Sequence, residues 1–290
     1  MRVAGGLDAL SATHVRRRIG RDRLAPHVRT ARSSAMPRTP GARRRADIPD
    51  TVRAALDAGM RETATLVEGL AIDFAALMAA TLPELGREAP AALRASADAG
   101  VTRRMALAGT LVHDGLGLDG ATRLVTHASD TVRGWSAYAI AAAPDLPLAE
   151  RLARVRPLAD DPHFGVREWA WLALRPHLAA SIDEAIALLV PWTSEPSERL
   201  RRFAVEATRP RGVWSAHITA LVREPACGLP LLEPLVSDPS RYVQDSVANW
   251  LNDAARSQPE WVRTTCAHWR TMSTTPATAR IVIRAMRSIA

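Results

Sequence analysis

Lysine is absent from this 290-residue chain, so all 38 basic residues are arginine. Arginine grips phosphate in a bidentate fork that lysine lacks, although a bias of this kind also follows from genomic base composition. Aromatic residues are scarce at 4%, which argues against a sheet protein built on aromatic and β-branched side chains. Only two cysteines occur, Cys227 and Cys266. They are too far apart for a zinc site, no histidine cluster completes one, and two lone thiols suit a reducing cytoplasm. No run of about 20 apolar residues could span a bilayer, and the N-terminus lacks the apolar core of a signal peptide. These absences predict a cytoplasmic, soluble protein with no membrane contact and no metal.

What the chain does have is alanine, leucine and arginine, a composition that favours helices. The net charge of +8 is unevenly placed. Residues 1–45 carry twelve arginines against Asp8 and Asp22, which leaves the remainder close to neutral. Residues 1–49 therefore read as an Arg-rich, disordered arm, either a nucleic-acid-binding tail or a bland leader. Residues 50–290 read as one continuous folded domain.

Four segments in that domain repeat a pattern: "SDTVRGWSAYAIAA" (129–142), "DPHFGVREWAWLALRPH" (161–177), "EPSERLRRFAVEATRPR" (195–211) and "DPSRYVQDSVANWLNDAA" (239–255). Each opens on residues suited to a helix N-terminus. Each carries an aliphatic anchor, Val132, Val166, Leu200 or Val243, at spacings of 34, 34 and 43 residues. Arg133, Arg167, Arg201 and Gln244 follow the anchors, and three residues beyond them come Trp135, Trp169, Phe203 and Ser246. Further helical stretches lie between, including "LAERLARVRPLA" (148–159) and "SIDEAIALLVPW" (181–192), the latter with Ser181 and Glu184 at capping-box spacing. Residues 51–85 read as two more helices, 99–117 as a continuation and 275–290 as a last basic helix. Helix pairs at this period predict an all-α, HEAT-like repeat α-solenoid with a concave groove. Trp135 and Trp169 are expected in its core.

On the third repeat Arg199, Arg202, Glu206 and Arg209 share one helix face. Asn249, Asn252 and Asp253 occupy the matching stretch of the fourth repeat, and Arg167, Glu168 and Arg175 lie near on the second. Such a patch is either a solvated face of ion pairs or a binding groove. Trp214 is the tryptophan off the repeat register, placed after the helix-stopping Pro210.

"RRFAVEATRPRGVW" (201–214) resembles the "RRLxSEGxRPRLPW" signature of the AlkC branch of the HEAT-like-repeat alkylpurine DNA glycosylases. "SVANWLNDAARSQPEWV" (246–262) resembles that branch's "SVANxLNDIAKDHP" segment, and the likeness extends over most of residues 50–288. The resemblance implies a monofunctional DNA glycosylase without metal or cofactor, a monomer that acts on duplex DNA containing alkylated bases such as N3-methyladenine. It places the catalytic carboxylates on Glu206 and Asp253 and the lesion contact on Trp214. It implies phosphate contacts by Arg167, Arg199, Arg202, Arg209 and Arg211, with Asn249 and Asn252 lining the groove. His163 stands where the family has a further acid, and could serve there only as a neutral, water-orienting group.

The implied chemistry is coherent. Alkylation at N3 or N7 makes a purine cationic and a good leaving group, and the glycosidic bond then breaks through an oxocarbenium-like transition state. A carboxylate stabilises that charge, an indole face attracts the cationic base, and on this reading no dedicated base pocket is needed. The substitution at His163 keeps open a non-catalytic DNA-binding paralogue, and the near-neutral body keeps open a protein-binding scaffold.

Overall fold

The computed structural model describes residues 41–212 and 214–289. The arm expected before residue 50 falls outside these as far as residue 40. Residues 41–49, which the sequence places in that arm, instead pack on the body. The Ala42 N–H donates to Glu68 Oε1 at 3.0 Å, Thr65 Oγ1 donates to the Ala42 carbonyl, and Ile48 is buried.

Among the described residues every regular element is helical, with fifteen α-helices and no strand. The N-terminal group comprises α1 (Asp50–Asp57), α2 (Leu66–Ala71), α3 (Phe74–Thr81) and α4 (Glu88–Ala95). Three helices thus form between residues 50 and 81 where two were expected. Gly59 ends α1 at φ +70°, with the Met60 and Gly59 N–H groups bonded back to Ala55 and Leu56 in a Schellman turn. Thr65 then caps α2, and Asp73 caps α3 by accepting from the Ala75 and Ala76 N–H groups. Each cap starts a new helix.

The body continues through α5 (Val101–Arg123), bent at Gly117 where φ is +64°, then α6 (Asp130–Ala142), α7 (Leu148–Ala159), α8 (Phe164–Ala180) and α9 (Ile182–Leu189). It ends with α10 (Glu198–Glu206), the short α11 (Thr219–Arg223) and α12 (Leu229–Leu232), then α13 (Arg241–Ala255), α14 (Pro259–Met272) and α15 (Pro276–Ala285). The four repeated segments become α6, α8, α10 and α13. These pack in sequence, α6 on α8, α8 on α10, α10 on α13 and α13 on α15, with α5, α7 and α14 as outer partners. That is the helix-pair stacking of a HEAT-like α-solenoid.

The repeat pattern has a local cause. Ser129, His163, Ser197 and Ser240 cap α6, α8, α10 and α13. The arginine after each anchor folds back over the loop that leads into its own helix. Arg133 donates to the carbonyls of His127 and Ala128, Arg167 to Asp161 and Pro162, and Arg201 to Glu195 and Pro196. Gln244 does the same to Asp238. Arg133 and Arg201 also pair with the acid of the following loop, Asp161 and Asp238. Arg133 and Arg201 therefore staple one repeat to the next. The capping box at Ser181 does not form: Ser181 ends α8 through its own N–H and its side chain makes no cap bond.

The core runs unbroken from Leu56 to Ala285 and holds Trp135, Trp250 and Trp269 without exposure. Trp169 departs from expectation. It packs against the bare Cα of Gly134 and beside Tyr138, and is only partly buried. No helix among the described residues is long and apolar enough to cross a membrane.

Candidate functional site

Glu206 is the last residue of α10, and the chain beyond it is drawn back across α8 by a buried arginine. The Arg175 guanidinium donates to the carbonyls of Ala207, Arg209 and Ala216, so both ends of the 207–216 loop are fastened to one side chain. Burial pulls Arg175 down to about 10, and neighbouring Arg209 pulls the same way. Trp250 Nε1 donates to the Thr208 carbonyl and fastens the loop to α13 as well. At the loop's tip Trp214 adopts φ +65°, a left-handed conformation rarely taken by a bulky residue, and is 54% exposed.

The acid pair is assembled around Arg209. Its Nη1 lies 2.7 Å from Glu206 Oε1, and its Nε donates to Asp253 Oδ2 at 2.8 Å. The second Glu206 oxygen accepts from Ser246 Oγ at 2.5 Å, with Arg202 Nη2 at 3.6 Å. Burial alone would raise the Glu206 carboxyl, but Arg202, Arg209 and Ser246 together outweigh it and hold the group below its usual range. At Asp253 burial wins over Arg209, with Glu206 adding repulsion, and the carboxyl is raised. Two carboxylates sharing one cation are thus driven in opposite directions.

Glu206, Arg209 and Trp214 open on a cavity of about 390 Å³ with largely apolar walls. Phe74, Phe164, Trp169 and Trp171 line it, together with the carboxylates of Asp130 and Glu168. A pocket of this kind was not expected. Glu168 Oε2 accepts from Trp171 Nε1, and Oε1 pairs with Arg202, which lies over the Tyr242 ring at 4.5 Å. Asp253 does not line the cavity and is joined to it through Arg209.

The other residues singled out from the sequence are dispersed. Arg202 and Arg209 face inward onto acids. Arg167 closes its repeat loop and donates to Tyr242 Oη, while Arg199 caps the Asp160 carbonyl and Arg211 donates to Ser257. Asn252 is buried and ties α13 to Ala285 and Ser288, and Asn249 accepts from Arg287. His163 is buried as the α8 cap: Nδ1 accepts from the Gly165 N–H and Nε2 lies 2.7 Å from the Thr63 carbonyl, which fits the neutral Nε2–H tautomer. Both nitrogens are occupied, so none is left to orient a water. Residues missed in the sequence are Ser246, which looked like a lapsed aromatic anchor, and the cavity walls Trp169 and Trp171. Among the described residues no three His, Cys, Asp or Glu side chains are grouped to hold a metal ion.

A solved structure with the same architecture is Pseudomonas fluorescens alkylpurine DNA glycosylase AlkC bound to DNA containing an abasic site analog. It is 26% identical, with a TM-score of 0.61 over 74% of this chain and 60% of that one. The likeness supports placing the chain with the HEAT-like AlkC/AlkD α-solenoids. AlkD2 from Streptococcus mutans shares the fold at 17% identity and a TM-score of 0.50, over 69% of this chain and 88% of its own. The uncharacterized Bacillus subtilis protein YhaZ is 39% identical over 117 residues, 40% of this chain and 32% of YhaZ. No protein-family model matches the chain. It spans 60% of the length of AlkC and about a third of that of YhaZ.

Proposed function

We propose that this protein is a monofunctional DNA glycosylase of alkylation repair that releases cationic N-alkylated bases, of the N3-methyladenine type, from duplex DNA. The observation that carries the reading is Glu206, a buried carboxylate held ionised by Arg202, Arg209 and Ser246 on the wall of a cavity faced with indoles. As the glycosidic bond breaks, the base leaves with the electron pair and becomes neutral, and the sugar becomes an oxocarbenium ion. Glu206 stabilises that charge. A water adds to C1′, and Asp253, whose raised carboxyl makes it the better proton acceptor of the pair, takes the proton. Trp214 contacts the cationic base. Arg199 and Arg211 supply phosphate contacts, with Arg202 and Arg209 tuning the acids instead. The enzyme works as a monomer in the cytoplasm on chromosomal DNA.

A second reading is a damaged-DNA binder without catalysis, favoured by Arg209 neutralising both acids and by His163 having no free nitrogen. Chromatography of bases freed from methylated duplex DNA separates the two. Release of 3-methyladenine above the spontaneous rate supports the glycosylase, and salt-sensitive binding with no release supports the binder.

A further inference from the structure

A second cavity, of about 370 Å³, opens where the segment before α1 meets α1, the start of α3, α4 and α5. It shares Leu70 and Phe74 with the cavity that carries Glu206 and none of that cavity's acids. Four arginines line it, each from a different part of the chain: Arg45, Arg53 of α1, Arg94 of α4 and Arg104 of α5. Every ion pair among the described residues uses some other cation. Two carboxylates share the walls, and both are engaged by the backbone. Asp57 Oδ1 accepts from the Asp73 N–H at 2.9 Å, and Asp73 Oδ1 from the Ala75 and Ala76 N–H groups at 2.9 and 3.0 Å. Four guanidinium groups against two carboxylates leave an excess of two positive charges. Arg104 lies over the Phe74 ring at 4.7 Å, and its buried Nε has no acceptor among the described residues. Burial, with repulsion from Arg45, pulls this guanidinium below its ordinary value. Convergent guanidinium groups without acid partners favour an anion, and their planar forks match phosphate oxygens two at a time.

We propose that this cavity binds a phosphomonoester whose organic body is about the size of a nucleoside. The charge fits, because a monoester carries about −1.5 to −2 at neutral pH. The volume falls within the range of small-molecule sites, ~300–1,000 Å³, and exceeds what a bare phosphate fills. Leu70, Leu93 and Phe74 give the organic body an apolar floor. A backbone diester of DNA fits less well. It brings a single charge, and its two chain continuations must both leave a recess walled by several helices. The site stands apart from the glycosylase reading, since it uses neither Glu206 nor Asp253.

Calorimetry on the full chain at physiological salt, where exposed charges are screened, tests this directly. The probes are 2′-deoxyadenosine 5′-monophosphate, deoxyadenosine, inorganic phosphate and the 3′,5′-cyclic diester of the same nucleotide. The monophosphate should bind at least about tenfold more tightly than each of the other three. Arg94→Gln and Arg104→Gln should each weaken it about tenfold, while Glu206→Gln leaves it unchanged. Arg94 is exposed, so its variant should keep the wild-type melting temperature and report binding alone. Equal binding of the cyclic diester overturns the charge match, and equal binding of inorganic phosphate overturns the organic body. No binding of the monophosphate, or binding that both arginine variants leave intact, overturns the site. Loss of binding in Glu206→Gln places the probe in the other cavity and does the same. Unmodified duplex DNA is the competing source of phosphate. If it displaces the monophosphate, and its own affinity falls in both arginine variants, the four arginines serve the DNA backbone and the monoester is overturned.

Discussion

Ser246 donates its hydroxyl to Glu206 at 2.5 Å from the repeat position that carries Trp135, Trp169 and Phe203 elsewhere. An aromatic side chain here would fill the space the carboxylate occupies. The fourth repeat gives up an anchor and gains a donor, and the donor helps keep Glu206 ionised. Ser246→Ala removes a hydrogen bond to a charged group, worth roughly 1.5–3 kcal/mol. Base release under single turnover should fall at least about tenfold. The acid limb of its pH profile should move upward, because Glu206 loses one of the groups that lower it. An unmoved acid limb would show that Glu206 does not set it.

The two carboxylates make opposite contributions to stability. Glu206 lies below its ordinary value of 4.5, so its contribution is present above that pH and is lost as pH falls through the lower folded value. Asp253 lies above its ordinary 3.8, so it favours the fold at low pH and costs stability as pH rises through the folded value. Chemical denaturation from pH 3 to 7 should show Glu206→Gln losing stability relative to wild type as pH rises. Asp253→Asn should gain stability relative to wild type over the same range.

Trp214 holds a left-handed conformation at φ +65° that costs a non-glycine residue about 1–2 kcal/mol. Trp214→Gly should therefore leave the melting temperature unchanged or slightly higher while weakening release of the cationic base about tenfold. A large drop in melting temperature would make Trp214 a structural residue.

His163 serves α8 as its cap and bonds the Thr63 carbonyl, with Asp130 Oδ2 at 3.5 Å from Nδ1. Introducing an acid there does not restore function on this account. His163→Glu should lose about 1–2 kcal/mol of stability from the missing cap, with added repulsion from Asp130, and should not raise base release. Faster release by this variant would show that the position is catalytic.

Much of the fold is legible in the sequence because it depends on local chemistry. Ser129, Ser197 and Ser240 announce helix starts, and Val132, Val166 and Leu200 recur with the arginine that follows them. The role of that arginine was hidden, because its partners are loop carbonyls whose direction no side-chain pattern encodes. Arg167 consequently reads as a phosphate contact when its guanidinium closes the loop that leads into its own helix. Arg202 and Arg209 mislead similarly: spacing puts them on a charged face, and the tertiary fold turns that face inward onto Glu206, Glu168 and Asp253. The cavity was illegible for a further reason. Its rim joins Leu66 and Leu70 of α2 to Phe164 of α8 and Trp214, segments with no sequence relation.

The central claim is that Glu206 and Asp253, coupled through Arg209, form one reacting centre. Single-turnover release of 3-methyladenine from a methylated duplex, measured for wild type, Glu206→Gln and Asp253→Asn beside their duplex affinities, tests it most directly. The account predicts release by wild type and a loss of about a hundredfold or more in each variant, with affinity for the duplex retained. Release that persists in both variants, or a wild type that binds and releases nothing, would contradict it.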